Sequence, residues 1–454
     1  MDLNNIKRFY FIGIGGIGMS ALARYFKAKG FDVAGYDKTP SPLTDELQEE
    51  GIAIHFEDLG RNIPVAYREV ESTLVVYTPA IPKTMGELVY VQEKHRVLKR
   101  SEVLGLITQT SKGLGVAGTH GKTTTSTMLA YVLSQSHVNC SAFLGGISSN
   151  FNSNVLVDPS AEYSVIEADE FDRSFLRLKP YASIITAMDP DHLDIYGTKE
   201  SFIEGFQEYA DKHKQNQLLI YKYGLPLRQT GFKGISYGIN QQDAMVFGTG
   251  LHYENGRFLM DLHFGEEVWK EVVLGLPGIH NAENALAVAA MCRELGLSEA
   301  EIRSGLKNFK GVKRRFEYQV RTEKLVYIDD YAHHPTEIAA LVSSIRLLYP
   351  DKKIIGVFQP HLFSRTRDFE AGFVSELGQL DEVIIMPIYP AREEPVPGVT
   401  SDELVRKIGK QATLKTPEQV LEFANTLKEG VVLTIGAGDI DRIVPEMKRI
   451  LEKK

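Results

Sequence analysis

The sequence predicts an α/β protein of three domains, in which mostly parallel sheets are covered by helices. Two observations lead to this prediction. Short apolar segments alternate with amphipathic helical segments along nearly all of the 454 residues, and such alternation is typical of parallel sheets. A chain of this length also corresponds to roughly three domains, each large enough to bury a core of its own.

The first predicted domain, residues 1–107, begins with the layout of a Rossmann-like nucleotide site. A strand over Arg8–Ile14 runs into a glycine-rich turn, a helix from Met19 and a second strand, Phe31–Tyr36. Glycines in such a turn let the backbone approach a diphosphate, and an acid after the second strand meets a ribose hydroxyl. Taken alone, this pattern predicts a dehydrogenase. The candidate nucleotide contacts are Gly13, Gly15, Gly16, Gly18 and Asp37.

The second predicted domain, residues 108–313, carries a loop typical of triphosphate binding, with ATP or GTP as the expected ligand. The loop Gly118–Thr125 follows an apolar strand and leads into the helical stretch Ser126–Leu133. Lys122 can reach the β- and γ-phosphates, and the hydroxyl of Thr123 can bind Mg²⁺. The loop is a shorter variant of the usual pattern, because Val116 replaces its first glycine. The candidate contacts are Gly118, Thr119, Gly121, Lys122, Thr123 and Thr124.

Acidic residues follow two further predicted strands of this domain. Ser164–Ala168 ends in an acidic run that closes with Glu170, and Ser183–Ala187 is followed by three aspartates around His192. Carboxylates at the carboxyl ends of strands, next to a phosphate loop, can hold Mg²⁺. A solvated acidic loop and an acid-rich turn capped by His192 are the alternative interpretations.

The remainder of the second domain contains a predicted hairpin and a candidate base site. Short alternating segments between residues 243 and 275, around Asn255-Gly256, predict a small antiparallel flap packed on this domain. A long helix is then predicted to begin at Asn281, which is a plausible N-cap. Capping does not account for Asn284, and a side-chain amide can both donate to and accept from an adenine edge.

The third predicted domain, residues 314–454, is again Rossmann-like. The basic run at its start is either a solvated linker or the source of an arginine that reaches the γ-phosphate when domains close. After the next strand, Asp330 could bind a ribose, while Tyr331 and His333 face an open edge of the sheet. Arg365 follows a later strand and offers a guanidinium suited to a carboxylate.

Composition narrows the possible partners. The chain has 51 Lys and Arg against 59 Asp and Glu, a net charge of −8, so bulk electrostatic binding of nucleic acid is not expected. Cys140 and Cys292 are the two cysteines, which excludes a disulfide framework or zinc ribbon and fits a reducing cytoplasm. No run of 18 apolar residues occurs, so no membrane span is expected.

Taken together, these segments resemble the Mur ligases, the ATP-dependent amide-forming enzymes of peptidoglycan synthesis. The resemblance covers essentially the whole chain, and its motifs occur in all three predicted domains. The matching segments are Gly13–Ser20, Gly118–Thr125, Glu167–Glu170, Asp191–Asp194, His280–Asn284, Arg314–Phe316, Asp329–Glu337, Gln359–His361 and Ser364–Thr366.

The resemblance implies that L-alanine is joined to the lactyl carboxylate of UDP-N-acetylmuramate through an acyl phosphate. It implies that the first glycine loop holds the UDP group and that Thr123, Glu170 and His192 hold Mg²⁺. Asn281, Asn284 and Asp330 would bind the adenosine of ATP. Tyr331, His333 and Arg365 would bind the amino acid.

The same resemblance assigns catalytic roles to Lys122 and Arg315, and names His333 as the candidate proton acceptor. Bound solvent or a metal-bound carboxylate could also accept the proton. We expect a monomer or a weak homodimer.

Three alternatives stay open at this point. A murein tripeptide ligase acting on the same sugar nucleotide shares most of the motifs, although Tyr331 and the segment Gln359–Thr366 favour alanine. An NAD(P)-binding oxidoreductase with an accessory ATPase would need no sugar nucleotide. A regulatory nucleotide switch would hydrolyse ATP without responding to one.

Overall fold

The computed structural model describes residues 5–158, 160–190, 193–213, 217–254, 257–391 and 393–454. Three sheets, most of whose described strand pairs are parallel, alternate with helices, which confirms the predicted fold class. The chain divides into two compact units, which are described separately below. The first unit comprises Met1–Leu251, Leu259–Gly275 and Glu283–Lys310, and the second comprises His252–Phe258, Leu276–Ala282 and Gly311–Lys454.

The first sheet has five parallel strands in the order β3-β2-β1-β4-β5. Its central strands are buried and strongly apolar, as expected for a parallel sheet with helices on both faces. The elements are β1 Arg8–Ile12, α1 Ile17–Ala28, β2 Asp32–Tyr36, α2 Pro42–Glu49, β3 Ala53–His55, β4 Thr73–Tyr77, α3 Gly86–Lys94, β5 Arg96–Lys99 and α4 Arg100–Thr110. Short 3-10 helices cover Gly60–Asn62 and Val65–Arg68.

The second sheet has ten strands in the order β15-β14-β13-β12-β11-β10-β6-β9-β7-β8. Its strands are β6 Lys112–Ala117, β7 Ser141–Ser148, β8 Ser153–Leu156, β9 Tyr163–Ala168, β10 Ala182–Ile185, β11 Leu218–Lys222, β12 Lys233–Ile239, β13 Val246–Glu254, β14 Arg257–Phe264 and β15 Glu267–Leu274. Its helices are α5 Lys122–Ser134, α6 Leu193–Tyr196, α7 Lys199–Ala210, α8 Ile279–Glu294 and α9 Glu299–Asn308, with a 3-10 segment over Phe171–Arg177.

The strands β13 to β15 fall where the sequence predicted a flap. They continue the central sheet at its β12 edge, where β12 and β13 pair in parallel through Tyr237 and Val246. The predicted turn at Asn255-Gly256 lies outside the described residues.

The third sheet has six strands in the order β16-β17-β21-β18-β19-β20, with β16 antiparallel to β17 and the others parallel. Its strands are β16 Glu317–Arg321, β17 Leu325–Asp330, β18 Ile354–Phe358, β19 Glu382–Ile385, β20 Ala412–Leu414 and β21 Gly430–Ile435. Its helices are α10 Pro335–Leu348, α11 Phe363–Asp368, α12 Glu370–Leu377, α13 Ser401–Ile408, α14 Pro417–Ala424 and α15 Val444–Leu451, with a 3-10 segment over Asp439–Ile443.

Local sequence signals account for several helix starts. Ser298 and Glu301 form a reciprocal capping box at α9, and Thr416 with Gln419 does so at α14, so that otherwise unpaired backbone N–H groups are satisfied. Pro335 is the first residue of α10. There the fixed φ of proline suits a helix and its missing N–H is not needed.

Both cysteines are buried. Cys140 and Cys292 have no exposed surface and are free thiols, and burial raises the pKa of each well above its ordinary value. In the described part of the chain, we find no helix that combines the length and the apolar character needed to cross a bilayer.

Candidate functional site

The triphosphate-type loop lies between β6 and α5 of the first unit. Gly118 has a φ of +135° and Gly121 a φ of +81°, a region that favours glycine. A Cβ on Gly118 would also lie 2.8 Å from the backbone nitrogen of Ala187. Gly121 is the N-cap of α5 and has no side chain with which to cap it, so the first N–H groups of the helix are available to an anion.

Lys122 is held inside this loop by a buried ion pair. Its Nζ donates to Glu170 Oε1 at 2.8 Å and Oε2 at 2.7 Å, and to the carbonyl of Gly118 at 2.7 Å. Burial opposes the charge on Lys122, but Glu170, with Asp169 and Glu167, raises its pKa above the ordinary value. The structure therefore brings together the predicted lysine and the predicted acid, with a full positive charge at the start of α5.

Neighbouring segments of the first unit support the loop. Thr186, after β10, donates to the carbonyl of Ala117 at 3.2 Å and also to that of His120. The Thr119 hydroxyl accepts from the backbone N–H of Asp189 at 3.1 Å. Asn284 Oδ1 lies 3.0 Å from the position of a Cβ on Gly121, which places this predicted base ligand at the loop. Thr123 and Thr124 lie in the first turn of α5. The predicted metal ligand His192 lies outside the described residues.

The glycine-rich turn of the first sheet also lies in the first unit, between β1 and α1. Gly13 has a φ of +87°, and a Cβ on Gly15 would lie 2.8 Å from Thr44 Cγ2 and 2.9 Å from Asp37 Oδ2. Asp37 accepts the N–H of Gly15 at 2.7 Å and that of Thr39 at 3.2 Å. Asp37, the predicted ribose ligand, therefore shapes the turn through these two hydrogen bonds.

A cavity of about 280 Å³ opens beside this turn. Gly16 and Gly18 lie on one side, and Gly145, Glu167 and Asp169 lie on another. The cavity therefore joins the turn of the first sheet to the acidic end of β9. One concave site in the first unit is thus lined by the first glycine turn and by the acidic segment at the end of β9.

Arg100 lines the same cavity and was not singled out from the sequence. A Cβ on Gly18 would lie 2.6 Å from Arg100 Nη1, and Arg100 Nη2 is 3.5 Å from Asp169 Oδ2. Its guanidinium therefore lies against the start of α1, where a phosphate would bind. The sequence offered no signal for this role, because no motif connects Arg100 with the first glycine turn.

In the second unit, two adjacent carboxylates end β17. Asp329 accepts from the hydroxyl of Thr434 at 2.6 Å, with Arg314 Nε 3.4 Å away. Asp330 accepts from the N–H groups of Phe316 at 2.7 Å and Ala332 at 2.8 Å. Burial raises the pKa of each carboxyl to about 6. The predicted ribose ligand Asp330 is thus engaged by the backbone of the arginine segment.

The predicted amino-acid ligands and Arg315 gather at the same sheet end of the second unit. The Arg315 guanidinium carbon is 4.8 Å from the ring centre of Tyr331, and the rings of Tyr331 and His333 lie edge to face at 5.3 Å. Burial lowers the pKa of His333 to about 4, with Glu337 opposing this and Arg365 adding to it. His333 is therefore neutral near pH 7, but it is a weak base.

Glu337 connects two of these residues and had no role in the sequence prediction. Its Oε2 accepts the backbone N–H of His333 at 2.9 Å, and its Oε1 is 3.7 Å from Arg315 Nη1. Its position on the first turn of α10 could have been found from the sequence. Its partners could not, because Arg315 is distant along the chain.

The prediction that Asn281 caps a helix is wrong. Helix α8 begins at Ile279, so Asn281 lies within its first turn. The buried Asn281 side chain donates to the carbonyl of Pro277 at 2.6 Å. This bond turns the side chain toward the segment that precedes the helix. The helix α1 likewise begins earlier than predicted, at Ile17 and not at Met19.

Comparisons with protein families match nearly the whole chain. The description "Mur ligase family, catalytic domain" matches residues 8–112. "Mur ligase middle domain" matches residues 116–292, and "Mur ligase, glutamate ligase domain" matches residues 314–438.

Individual proteins are similar over the same length. A UDP-N-acetylmuramate–L-alanine ligase of Phocaeicola vulgatus is 48% identical, covering 100% of both chains. The enzyme of that name from Flavobacterium psychrophilum is 50% identical, again covering 100% of both. Among solved structures, the UDP-N-acetylmuramate-alanine ligase of Thermotoga maritima superposes with a TM-score of 0.80 at 27% identity, covering 98% of each chain.

Proposed function

We infer that this chain, which belongs to the Mur ligase family, is an ATP-dependent ligase that joins L-alanine to the lactyl carboxylate of UDP-N-acetylmuramate. The observation that carries this conclusion is full-length identity near one half to ligases bearing that name. The loop around Lys122 supports it independently, because joining an amine to a carboxylate requires an energy source. The product is a precursor of peptidoglycan.

We propose a division of labour along the chain. Residues 1–107 bind the sugar nucleotide, residues 108–313 bind ATP, and residues 314–454 bind the amino acid. The first boundary falls inside α4, which runs to Thr110, so this helix belongs to both segments. We further propose that the protein acts in the cytoplasm as a monomer or a weak homodimer.

The sugar nucleotide is assigned to the cavity beside the first glycine turn. Gly13, Gly15, Gly16 and Gly18 bring the backbone near the diphosphate, and Asp37 holds the turn in shape. Arg100 supplies the positive charge that the turn lacks. Because arginine binds phosphate oxygens with two parallel N–H groups, this contact also fixes orientation.

ATP is assigned to the loop Gly118–Thr124, in which Lys122 forms an ion pair with Glu170. When phosphates enter, Lys122 exchanges this carboxylate for β- and γ-phosphate oxygens. Glu170 then becomes available as an oxygen ligand. Asn281 and Asn284 are assigned to adenine and Asp330 to the ribose.

The residues at the loop fit Mg²⁺. Thr123, which follows Lys122 in the chain, and Glu170, which pairs with Lys122, offer the hard oxygen donors that Mg²⁺ prefers, and His192 is the third proposed ligand. When bound, Mg²⁺ neutralises charge on the phosphates.

In the first chemical step, the lactyl carboxylate attacks the γ-phosphorus of ATP, which releases ADP and leaves an acyl phosphate. Lys122 and Arg315 stabilise the negative charge that spreads over the transferred group. The reacting atoms must come within about 3 to 3.5 Å of one another. The glycine turns, Arg100 and Arg315 orient the reactants so that this approach can occur.

In the second step, the amine of L-alanine attacks the acyl carbon and phosphate leaves. Tyr331, His333 and Arg365 are assigned to the amino acid, with Arg365 on its carboxylate. His333 is neutral at working pH and is the proposed proton acceptor. Its low pKa favours prompt return of that proton, because an imidazolium in this buried place is unstable.

The test is phosphate release by the purified chain with Mg-ATP, UDP-N-acetylmuramate and either L-alanine, glycine, L-serine or murein tripeptide. We expect release to require the sugar nucleotide and to be fastest with L-alanine. Preference for the tripeptide would instead identify a peptide-recycling ligase. Release without the sugar nucleotide, or failure of ¹⁸O to pass from the lactyl carboxylate to phosphate, would contradict the ligase mechanism.

A further inference from the structure

The buried side chain of Asn154, on β8 of the central sheet, contacts the helix that begins at the first glycine turn. Asn154 has no exposed surface. Its Nδ2 donates to the carbonyl of Ile17 at 2.5 Å and to the hydroxyl of Ser20 at 2.9 Å. Ile17 is the first residue of α1 and lines the cavity next to Gly16 and Gly18. A residue of the ATP-binding segment thus holds the phosphate-binding end of α1.

The orientation of this amide is fixed by Arg24. Arg24 Nη1 donates to Asn154 Oδ1 at 2.7 Å, and a guanidinium can only donate. The amide oxygen must therefore face Arg24, which leaves both amide hydrogens for Ile17 and Ser20. Arg24 is itself held by Glu46 at 2.9 Å and Glu50 at 2.7 Å. These contacts connect α2, α1 and β8, and they fix the orientation of the Asn154 amide between them.

A second contact reinforces the first. The ring of Tyr25 on α1 lies edge to face with Phe143 of β7, with the centroids 4.9 Å apart. Phe143 lines the cavity as well. The helix is therefore anchored on two adjacent strands of the central sheet, and both anchors lie close to the cavity wall.

We propose that Asn154 is a positioning residue for the sugar nucleotide. It holds the start of α1 in the place where N–H groups of the glycine turn meet the diphosphate, and it ties this place to the ATP-binding sheet. This inference rests on the proposed function. It gives β8, a strand without a recognised motif, a role in the affinity for the sugar nucleotide. The sequences of the two glycine turns do not indicate this role.

The proposal predicts that Asn154→Ala raises the KM for UDP-N-acetylmuramate by about tenfold, as expected from the loss of two or three buried hydrogen bonds. The KM for ATP and kcat should change less than about twofold, since the Lys122 loop is untouched. Direct titration of the sugar nucleotide without ATP should show the same loss. Asn154→Ser, which keeps one hydroxyl donor, should recover part of it.

Asn150→Ala is a matched control. Asn150 also bridges two segments of the first unit, donating to the carbonyl of Asn308 at 3.1 Å and accepting from the N–H of Lys310 at 2.8 Å. Neither of these two partners lies on α1. We expect this variant to lower Tm without selectively changing the KM for the sugar nucleotide. Arg24→Met, which frees the amide of Asn154 to turn, gives an independent test and should also raise that KM.

Two results would overturn the proposal. One is an unchanged affinity for the sugar nucleotide in Asn154→Ala and Arg24→Met. The other is an equal rise in the KM for ATP and for the sugar nucleotide, as a purely structural role predicts. If the wild-type chain itself did not bind UDP-N-acetylmuramate, the proposed function would fail instead, so the two failures are distinguishable.

Discussion

The first unit contains two glycine-rich turns with the same layout and different sources of charge. Each turn follows a buried parallel strand and opens a helix, α1 after Gly16 and α5 after Gly121. In the second turn the cation, Lys122, is the next residue along the chain. In the first turn the cation is Arg100, which arrives from α4.

This difference explains why one turn could be interpreted from its sequence and the other could not. A motif that includes its own cation specifies the ligand class. A turn whose cation comes from another segment leaves the ligand class open, because the pattern Gly-x-Gly-x-x-Gly followed by an acid also occurs in dehydrogenases. The partner that completes the site is then visible only in the folded chain.

The largest effect we expect is in Lys122→Ala. Turnover should fall by about 10² to 10³-fold or more, because a preorganised charge on the transferring phosphoryl group is lost. Binding of UDP-N-acetylmuramate should persist, since Arg100 and the first turn are intact. Phosphate release and calorimetric titration measure the two quantities.

The controls for this change address folding and position. Removal of Lys122 leaves Glu170 buried and unpaired, so the double variant Lys122→Ala, Glu170→Gln should restore stability but not turnover. Lys112→Ala, at the other end of β6, breaks an ion pair with Glu162 and cation–π contacts with Tyr163 and Tyr181, and it should keep full activity. Rapid turnover by Lys122→Ala would disprove the assignment of the second turn.

A smaller effect is expected in Arg100→Gln. Affinity for the sugar nucleotide should weaken by about 10- to 100-fold, as is typical for the loss of a charged hydrogen bond. The KM for ATP should remain nearly constant. Lys99→Gln is the matched control, because Lys99 is adjacent in sequence and pairs with Asp172 at 3.2 Å. If Arg100→Gln and Lys99→Gln had the same affinity for the sugar nucleotide, Arg100 would not be the cation of the first turn.

Alanine at two neighbouring glycines should separate the shape of the first turn from its contact with the ligand. In Gly15→Ala the new Cβ meets Thr44 and Asp37, so we expect a loss of about 1 to 3 kcal/mol in unfolding free energy. In Gly16→Ala the nearest atom to the new Cβ, the carbonyl oxygen of Gly13, is 3.6 Å away, so Tm should be unchanged while affinity for the sugar nucleotide falls. Thermal unfolding with and without this ligand measures both, and a large drop in Tm for Gly16→Ala would contradict the interpretation.

The smallest effect we expect is on the pH dependence of stability. It concerns β17 of the second unit, where two buried carboxyls lie at the end of a strand. Burial raises the pKa of Asp330 to about 6. Its contribution to stability is therefore fully present below the unfolded pKa, about 3.9, and is lost as the pH rises through 6. Burial and Arg315 lower the pKa of His280 to about 4, so its contribution is present above the unfolded pKa, about 6.5, and is lost as the pH falls through 4.

These two contributions oppose each other between pH 4 and 6.5. We expect the unfolding free energy of Asp330→Asn to rise more steeply with pH than that of the wild type, by about 1 to 2 kcal/mol over the window, with a matching change in the Tm profile. His280→Gln should have the reverse effect. Parallel Tm profiles for all three proteins would show that neither group is perturbed as described.

Much of the fold was accessible from periodicity alone, because strands buried on both faces are apolar throughout. The strand predicted over Phe31–Tyr36, for example, is found over Asp32–Tyr36. Helix starts without a polar cap were less accessible, since α1 begins after a glycine and α8 begins two residues before Asn281. The domain boundaries and the roles of the site residues stay predictions.

The site was predictable where the chemistry lies within one short segment, as for Lys122 and the turn around it. It was not predictable where distant segments meet. Arg100 reaches Gly18 only when the first sheet has assembled, and Asn154 reaches Ile17 only after the first and second sheets have packed. No spacing rule connects such residues.

The concealment of Cys140 and Cys292 has a practical consequence. Thiols that are inaccessible and held protonated react slowly with maleimides. A cysteine introduced at an exposed position of each unit can therefore be labelled against a silent native background. A donor and an acceptor dye placed in this way would report, by energy transfer, any change of distance between the units during the catalytic cycle.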